Sequence, residues 1–371
     1  MTVAIEPVTT ATDRRAFLNL PRALYAGDAA WIEPLRMELK QRLSPKSSFF
    51  RRAEAALFLA KRGADVVGRI SVQIDRHAHP GEHPEGNFGF YEAVDDVEVA
   101  SVLFGAAEDW LRARHVNKIV GPYNFRLEDP APGFLAHGFD HPPCFMMPYS
   151  KPYYLAQAER AGFQPAMQLN CFSVRADFQF PQWIKDLDDQ ARGIPGLHVR
   201  CINLKRVYAE AEVIRHVFNE ALRNNWGFIP FSEKQVQAMA RDMGRIADPR
   251  IILIAEVDGR AVGVVINLPN LNDIFYDCRG RLFPKGLYRM LFQKKRIHSL
   301  RGYACAILDE YRGKGLGVHL IAESWRRGLA AGYTQGEITW VLGNNTGMND
   351  LAQGFGGTPD KRYSVMEKAV T

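Results

Sequence analysis

Tyr303-Ala304-Cys305-Ala306-Ile307-Leu308, then Asp309-Glu310-Tyr311, then Arg312-Gly313-Lys314-Gly315-Leu316-Gly317, is the stretch on which the reading of this chain turns. The first six residues read as a strand. The last six open a helix, because Val318, Ile321, Trp325 and Leu329 follow at helical spacing and Gly332 closes the run as a C′ residue would. A strand-to-helix turn of this kind gathers free backbone N–H groups and the positive helix end around one concavity. Gly313, Gly315 and Gly317 lack Cβ atoms, so a pyrophosphate can approach the main chain, and Arg312 and Lys314 add charge. Other phosphate loops fit worse. A P-loop needs Gly-Lys-Ser/Thr, whereas Gly315 follows Lys314, and Val318 stands where a dinucleotide fingerprint needs its last glycine. A glycine-rich turn on a basic surface is the plain alternative.

Working outward, residues 57–70 (LFLAKRGADVVGRI) and 252–265 (ILIAEVDGRAVGVV) align without a gap at an offset of 195. Ala60 meets Ala255, Val67 meets Val262 and Gly68 meets Gly263, while the turn glycines fall one position out of register. Each segment reads as a β-hairpin. AGFQP at 161–165 resembles GGTP at 356–359 at an offset of 194, so a duplication is expected. In each half a first strand (3–7; 197–203) leads to helical material, the hairpin, another strand, and a long helix (94–115; 315–331). A further strand (117–122; 338–343) and a β-rich end follow. The expected organisation is therefore two domains, 1–180 and 197–371, joined by a linker at 181–196.

The rest of the composition sets limits. A chain of 371 residues with 47% hydrophobic and 24% charged residues can bury a core in each half. The net charge of +6 favours anionic partners. Five scattered cysteines without a C-x-x-C pair argue against a disulfide framework or a structural metal, so no metal is expected. With no h-region or long apolar run, the expected location is the cytoplasm, in solution or peripheral on the inner membrane.

Arg312-x-x-Gly315-x-Gly317 resembles the R/Q-x-x-G-x-G/A acyl-CoA loop of GNAT acyltransferases. The Asp258-Gly259 hairpin, the strand ending in Asp309-Glu310-Tyr311, and Asn345 after Thr339-Trp340-Val341-Leu342 extend the likeness over 197–371. The resemblance implies a mixed α/β GNAT fold in tandem, with acyl-CoA as co-substrate in the gap between two splayed strands. Carried over, the CoA-binding residues are Leu308, Arg312, Gly313, Lys314, Gly315, Leu316, Gly317 and Asn345, with the Leu308 backbone as an oxyanion donor. Two departures stand out. Ala352 occupies the place where many GNAT enzymes carry a proton-donating Tyr, leaving Tyr363 or water for that role. In the first half the equivalent strand, 87–93, runs into Asp95-Asp96, so that half reads as one that has lost CoA binding.

The implied reaction is attack of an amine or hydroxyl on a thioester, which needs a base or water relay. Candidates for the base are Glu128, Asp129 and His137, and for acceptor contacts Asn124, Trp226 and Phe228; solvated loop groups and packing aromatics are the bland readings. The segment 271–298 is basic and aromatic, and a helix from Pro284 would carry Leu287, Met290 and Leu291 as an apolar stripe. It either lies on an anionic membrane through 279–296 or covers the cleft. The runs NWGFIP, LPNLND, GRLFPKGL, ITWVLGNN, GPYNF and GFDHPP resemble bacterial ceramide synthase-like proteins, in which position 343 is expected to be acidic and is here Gly343. That implies transfer of a long acyl chain to a sphingoid-base amine. A small-molecule N-acetyltransferase using acetyl-CoA, or a non-catalytic acyl-CoA sensor, remain open; no nucleic-acid motif is present, so no nucleic-acid partner is expected.

Overall fold

The computed structural model describes residues 2–51, 53–75, 85–125 and 132–371, and both halves build onto one sheet. The first half contains β1 (Ala4–Pro7), α1 (Ala11–Leu24), α2 (Arg36–Arg42), β2 (Ala53–Arg62), β3 (Asp65–Asp75) and β4 (Glu85–Ala93). It continues with α3 (Val97–Arg112), β5 (Lys118–Gly121), β6 (Phe134–His137), α4 (Tyr154–Arg160) and β7 (Gln164–Arg175). After α5 (Gln182–Arg192) the second half repeats the plan: β8 (Leu197–Cys201), α6 (Val207–Ala221), α7 (Glu233–Met243), β9 (Ile252–Val257) and β10 (Arg260–Pro269). It ends with α8 (Asn272–Phe275), α9 (Leu287–Phe292), β11 (Ser299–Ile307), α10 (Leu316–Ala330), β12 (Gln335–Leu342), α11 (Thr346–Gly354) and β13 (Thr358–Ala369).

The duplication is visible in the register. Ala60 pairs with Gly68 across the first hairpin and Ala255 with Gly263 across the second. Each glycine lies beneath a helix. A Cβ on Gly68 would come within 2.7 Å of Leu103 in α3, and one on Gly263 within 3.1 Å of Leu320 in α10. The glycine mismatch in the two turns has a conformational cause. Gly63 (φ 64°) takes the first central position of its two-residue turn, whereas Asp258 (φ 50°) and Gly259 (φ 81°) are both left-handed. A turn with both central residues left-handed tolerates Asp or Asn first and Gly second.

The two halves exchange their last strands. Sheet order is β1-β2-β3-β4-β5-β13-β7-β12-β11-β10-β9-β8, so β13 of the second half pairs with β5 of the first, and β7 of the first pairs with β12 of the second. Residues 181–196, read as a connection, contain α5, which buries Ile184, Asp188 and Ala191. Asp188 accepts from Arg326 and hydrogen-bonds His319 at 2.6 Å, which fastens α5 to α10. The insertion 271–298 is broken into short helical pieces rather than one long helix, because Phe283 is extended (φ −102°, ψ 142°) ahead of Pro284.

Removing residues 358–371 takes β13 out from between β5 and β7, leaving an open edge on each half. The expected outcome is loss of both halves together, read as loss of near-native circular dichroism. A truncated chain that keeps a cooperatively melting first half contradicts the interdependence.

Candidate functional site

Strands β11 and β12 run parallel and pair only through Ser299–Gly302 with Gln335–Ile338. Beyond that point β12 stays with β7 and passes through an irregularity between Ile338 and Val341, so the two strands part. On its other edge β11 remains paired with β10 as far as Ile307, with Tyr303 as the extra residue of a bulge. Antiparallel alternation then decides which backbone groups face the gap. Leu308 N–H donates to Val262 O at 2.9 Å, so the groups of Ala306 and Leu308 point to β10 and those of Cys305 and Ile307 point into the gap. This corrects the sequence reading of Leu308 as an oxyanion donor: its N–H is already occupied. Gly302, Tyr303, Ala304, Cys305 and Ile307 stay half-buried although they lie in the interior of the sheet.

The turn that follows leads to the N-terminus of α10 beside this gap. Gly313 (φ 72°) and Gly315 (φ 77°) are left-handed, and Gly315 is the N-cap without any side-chain cap bond. The first-turn N–H groups of α10 therefore keep no partner of their own. Gly315 has a second reason to lack a side chain: a Cβ there would lie 2.1 Å from the Leu187 carbonyl of α5. The acids beside the turn are neutralised, Asp309 by Arg223 at 2.6 Å and Arg312 at 3.1 Å, and Glu310 by Arg260 at 2.8 Å. Arg312 also donates to Ala221 O at 2.6 Å, tying the turn to the end of α6. Gly313 and Lys314 are exposed, and Lys314 lies over the Tyr311 ring. Asn345 caps α11 by accepting from Met348 N–H at 3.1 Å.

The first half has the same parting of strands but closes it. β4 and β5 pair only over Glu85–Asn87 with Lys118–Val120. Tyr123 N–H then donates to Phe88 O at 2.6 Å, and Phe88, Tyr91, Phe134 and Tyr154 pack into one buried cluster. Helix α3 is capped by its own Asp96, which accepts from Glu98 N–H at 2.8 Å and pairs with Arg62. An internal carboxylate thus takes the place that an external anion would need.

A polar cluster, missed by sequence reasoning, lies where β11 and β12 begin to part. Leu300 and Gly336 face Trp325 of α10, so Arg301 and Glu337, their neighbours, face the other side of the sheet. Arg301 donates to Thr339 Oγ1 at 3.1 Å and to Phe145 O at 3.0 Å. Glu337 is 7% exposed, and burial raises its carboxyl above the usual range while Lys361 opposes the shift. Arg301 Nη2, Glu337 Oε1, Trp340 Nε1 and Tyr363 Oη are all buried without a hydrogen-bond partner among the described residues. Burial also pushes the Tyr363 hydroxyl well above its ordinary value, so it stays protonated. Buried polar atoms are rarely left unpaired, so a group of them calls for a functional account. The Cys305 thiol, raised to about 12 by burial, is no nucleophile at neutral pH.

The other expected residues are dispersed. Glu128 and Asp129 lie outside the described residues. His137 is exposed at the end of β6, paired with Arg362. Asn124 accepts from Phe90 N–H at 2.7 Å and lines a separate cavity of the first half. Trp226 is exposed beyond α6, and Phe228 packs edge-on against Phe231.

No family model matches the chain. It is 36% identical over 379 residues to the bacterial ceramide synthase of Caulobacter vibrioides, covering 99% of this chain and 98% of that protein. It is 35% identical over 366 residues to protein YghO of Escherichia coli K12, covering 96% of this chain and 93% of that one. Among solved structures, a tandem GNAT protein from the clavulanic acid biosynthesis pathway superposes with a TM-score of 0.56 at 12% identity, over 100% of this chain and 99% of that one.

Replacing Gly315 with Ala sets a left-handed non-glycine residue against the Leu187 carbonyl, and the expected loss is roughly 2–4 kcal/mol in urea unfolding. Gly313→Ala, with nothing within 4 Å of its Cβ, is expected to lose only about 1 kcal/mol. Equal losses contradict the clamp by α5.

Proposed function

Because the chain belongs to the family of GNAT acyltransferases that holds protein YghO and the bacterial ceramide synthase, we propose that it moves a long acyl group from acyl-CoA to the amine of a sphingoid-type lipid. The observation that carries this reading is the half-open edge of β11 ending at the uncapped start of α10. Coenzyme A has an extended arm with two amides and a diphosphate at one end. The arm would add to the Cys305–Ile307 edge as a strand, and the diphosphate would meet the N–H groups beyond Gly315, with Lys314 and Arg312 as counter-charges.

In this arrangement Glu337 is the base and Tyr363 the acid. The acceptor arrives as an ammonium and gives one proton to the Glu337 carboxylate. Its nitrogen lone pair then forms the C–N bond to the thioester carbon, and the oxyanion is held by the Cys305 N–H. As the C–S bond breaks, Tyr363 protonates the leaving sulfur and regains the second amine proton. Tyr363 would thereby serve in place of the residue at Ala352, which is a buried methyl group in α11. The first half, with its gap closed and α3 self-capped, would bind no CoA and act as a wall for the acceptor.

The insertion supports a membrane role. Phe283 is 75% exposed and Phe292 71%, with Tyr276, Tyr288 and Leu291 also exposed, and Lys294, Lys295 and Arg296 beside them. The outward side is thus aromatic, while Leu287 and Met290 of the expected stripe are half-buried. No described helix is long and apolar enough to cross a membrane. Aromatic and basic side chains on one surface suit an anionic interface.

Incubation with palmitoyl-CoA or acetyl-CoA and a sphingoid amine, read by mass spectrometry, is expected to give the palmitoyl amide; use of acetyl-CoA alone overturns the lipid reading. In the same assay Glu337→Gln is expected to lower kcat/KM by about 10²–10⁴-fold. It should also abolish the fall in rate at acidic pH, because the raised Glu337 must be deprotonated to act. An acidic limb that survives the substitution excludes Glu337 as the base. Co-sedimentation with phosphatidylglycerol vesicles is expected, with loss in Phe283→Ser/Phe292→Ser; equal sedimentation of both proteins removes this surface from the membrane contact.

A further inference from the structure

A cavity of 960 Å³ lies in the first half, between α1, α2, the 143–149 segment and the start of the insertion. None of residues 303–317 lines it, so it is separate from the gap between β11 and β12. Trp31, Leu39, Phe90, Phe145, Met147 and Phe275 give it apolar surface. Among the described residues the charges on the wall are unbalanced: eight Arg or Lys face three Glu. Those three are already committed, Glu33 to Arg22 and Arg36, Glu38 to Arg42, and Glu92 to Arg69 and Tyr154. Arg69 is 5% exposed, yet among the described residues its Nε has no acceptor, and Nη2 of Arg36 is likewise buried without one. Arg36 and Arg69 both line the cavity, each with hydrogen-bonding capacity left over, and a wall with surplus guanidinium charge favours a carboxylate or phosphate oxygen.

The insertion connects this cavity to the aromatic surface. Asn272, Phe275, Cys278 and Arg281 line the cavity from one side of that segment, while Tyr276 and Phe283 are exposed. We infer that the cavity is a binding site for an anionic amphiphile, with a carboxylate or phosphate head held by Arg36 and Arg69 and an apolar tail along Trp31, Phe90 and Phe275. The site is independent of the acyl transfer proposed above. Its ligand would contact the 143–149 segment, whose Phe145 carbonyl accepts from Arg301 beside the strand gap, and whose Phe145 N–H donates to Asn270. Occupancy would therefore bear on the position of Arg301.

Isothermal titration of the full chain with dodecyl phosphate, dodecanoate, dodecylamine and inorganic phosphate, each below any micelle concentration, tests this directly. One or both anionic amphiphiles should bind one per chain, at least about tenfold tighter than dodecylamine and than inorganic phosphate. The tighter of the two identifies the head group. Arg36→Gln should weaken that binding about tenfold or more with circular dichroism unchanged. Because Arg36 also pairs with Glu33, Arg14→Gln on the same wall provides a second variant, expected to weaken it in the same direction. Binding of dodecylamine as tight as that of the anions, inorganic phosphate as tight as its dodecyl ester, absence of binding by both anions, or unchanged affinity in a folded Arg36→Gln or Arg14→Gln chain would each overturn the assignment.

Discussion

An interior strand that abandons one of its neighbours is the constraint from which this structure follows. β12 leaves β11 after Ile338 and completes itself on β7, so among the described residues the β11 edge from Tyr303 to Ile307 has no strand beside it. Backbone N–H and C=O groups in a protein interior require partners, and here the neighbouring strand does not supply them. The exposed edge therefore demands something extended and rich in amides. The bulge at Tyr303 and the Leu308 bond to Val262 fix which peptide groups face it. The uncapped helix that begins at its far end adds the positive pole at one fixed distance along the same line.

The first half shows what the same plan becomes when the demand is met internally. Its strands part in the same way, but Tyr123 folds back onto Phe88, aromatic side chains fill the interior, and Asp96 satisfies the helix end. Its remaining open space lies instead beneath α1 and α2, with an excess of arginine. One fold thus takes two different internal arrangements, and the difference comes from a few residues that either occupy or leave free the same positions.

Much of this was legible in the sequence because the relevant signals are local. Arg312-x-x-Gly315-x-Gly317, the hairpins at 57–70 and 252–265, and Gly332 as helix terminator each depend on residues a few positions apart. Gly332 is left-handed with φ 98°, and Tyr333 N–H donates to Gly328 O as such an ending requires. The polar cluster was not legible. Arg301, Glu337 and Tyr363 come from three strands, and strict alternation would have put Glu337 and Trp340 on opposite faces, whereas the irregularity at Thr339–Trp340 brings them to one. The role given to Leu308 failed for a related reason: which backbone groups face the gap depends on register, which a single strand does not reveal. The strand exchange leaves no local trace, since β7 and β13 present similar patterns whichever half they join.

That exchange carries a consequence for how such a protein can change over evolutionary time. Each copy supplies a strand from the middle of the other's sheet, so a deletion or recombination event that separated the copies would leave two incomplete pieces. The copy whose strand gap is closed is consequently retained by architecture, and its surfaces are free to drift while its backbone is not.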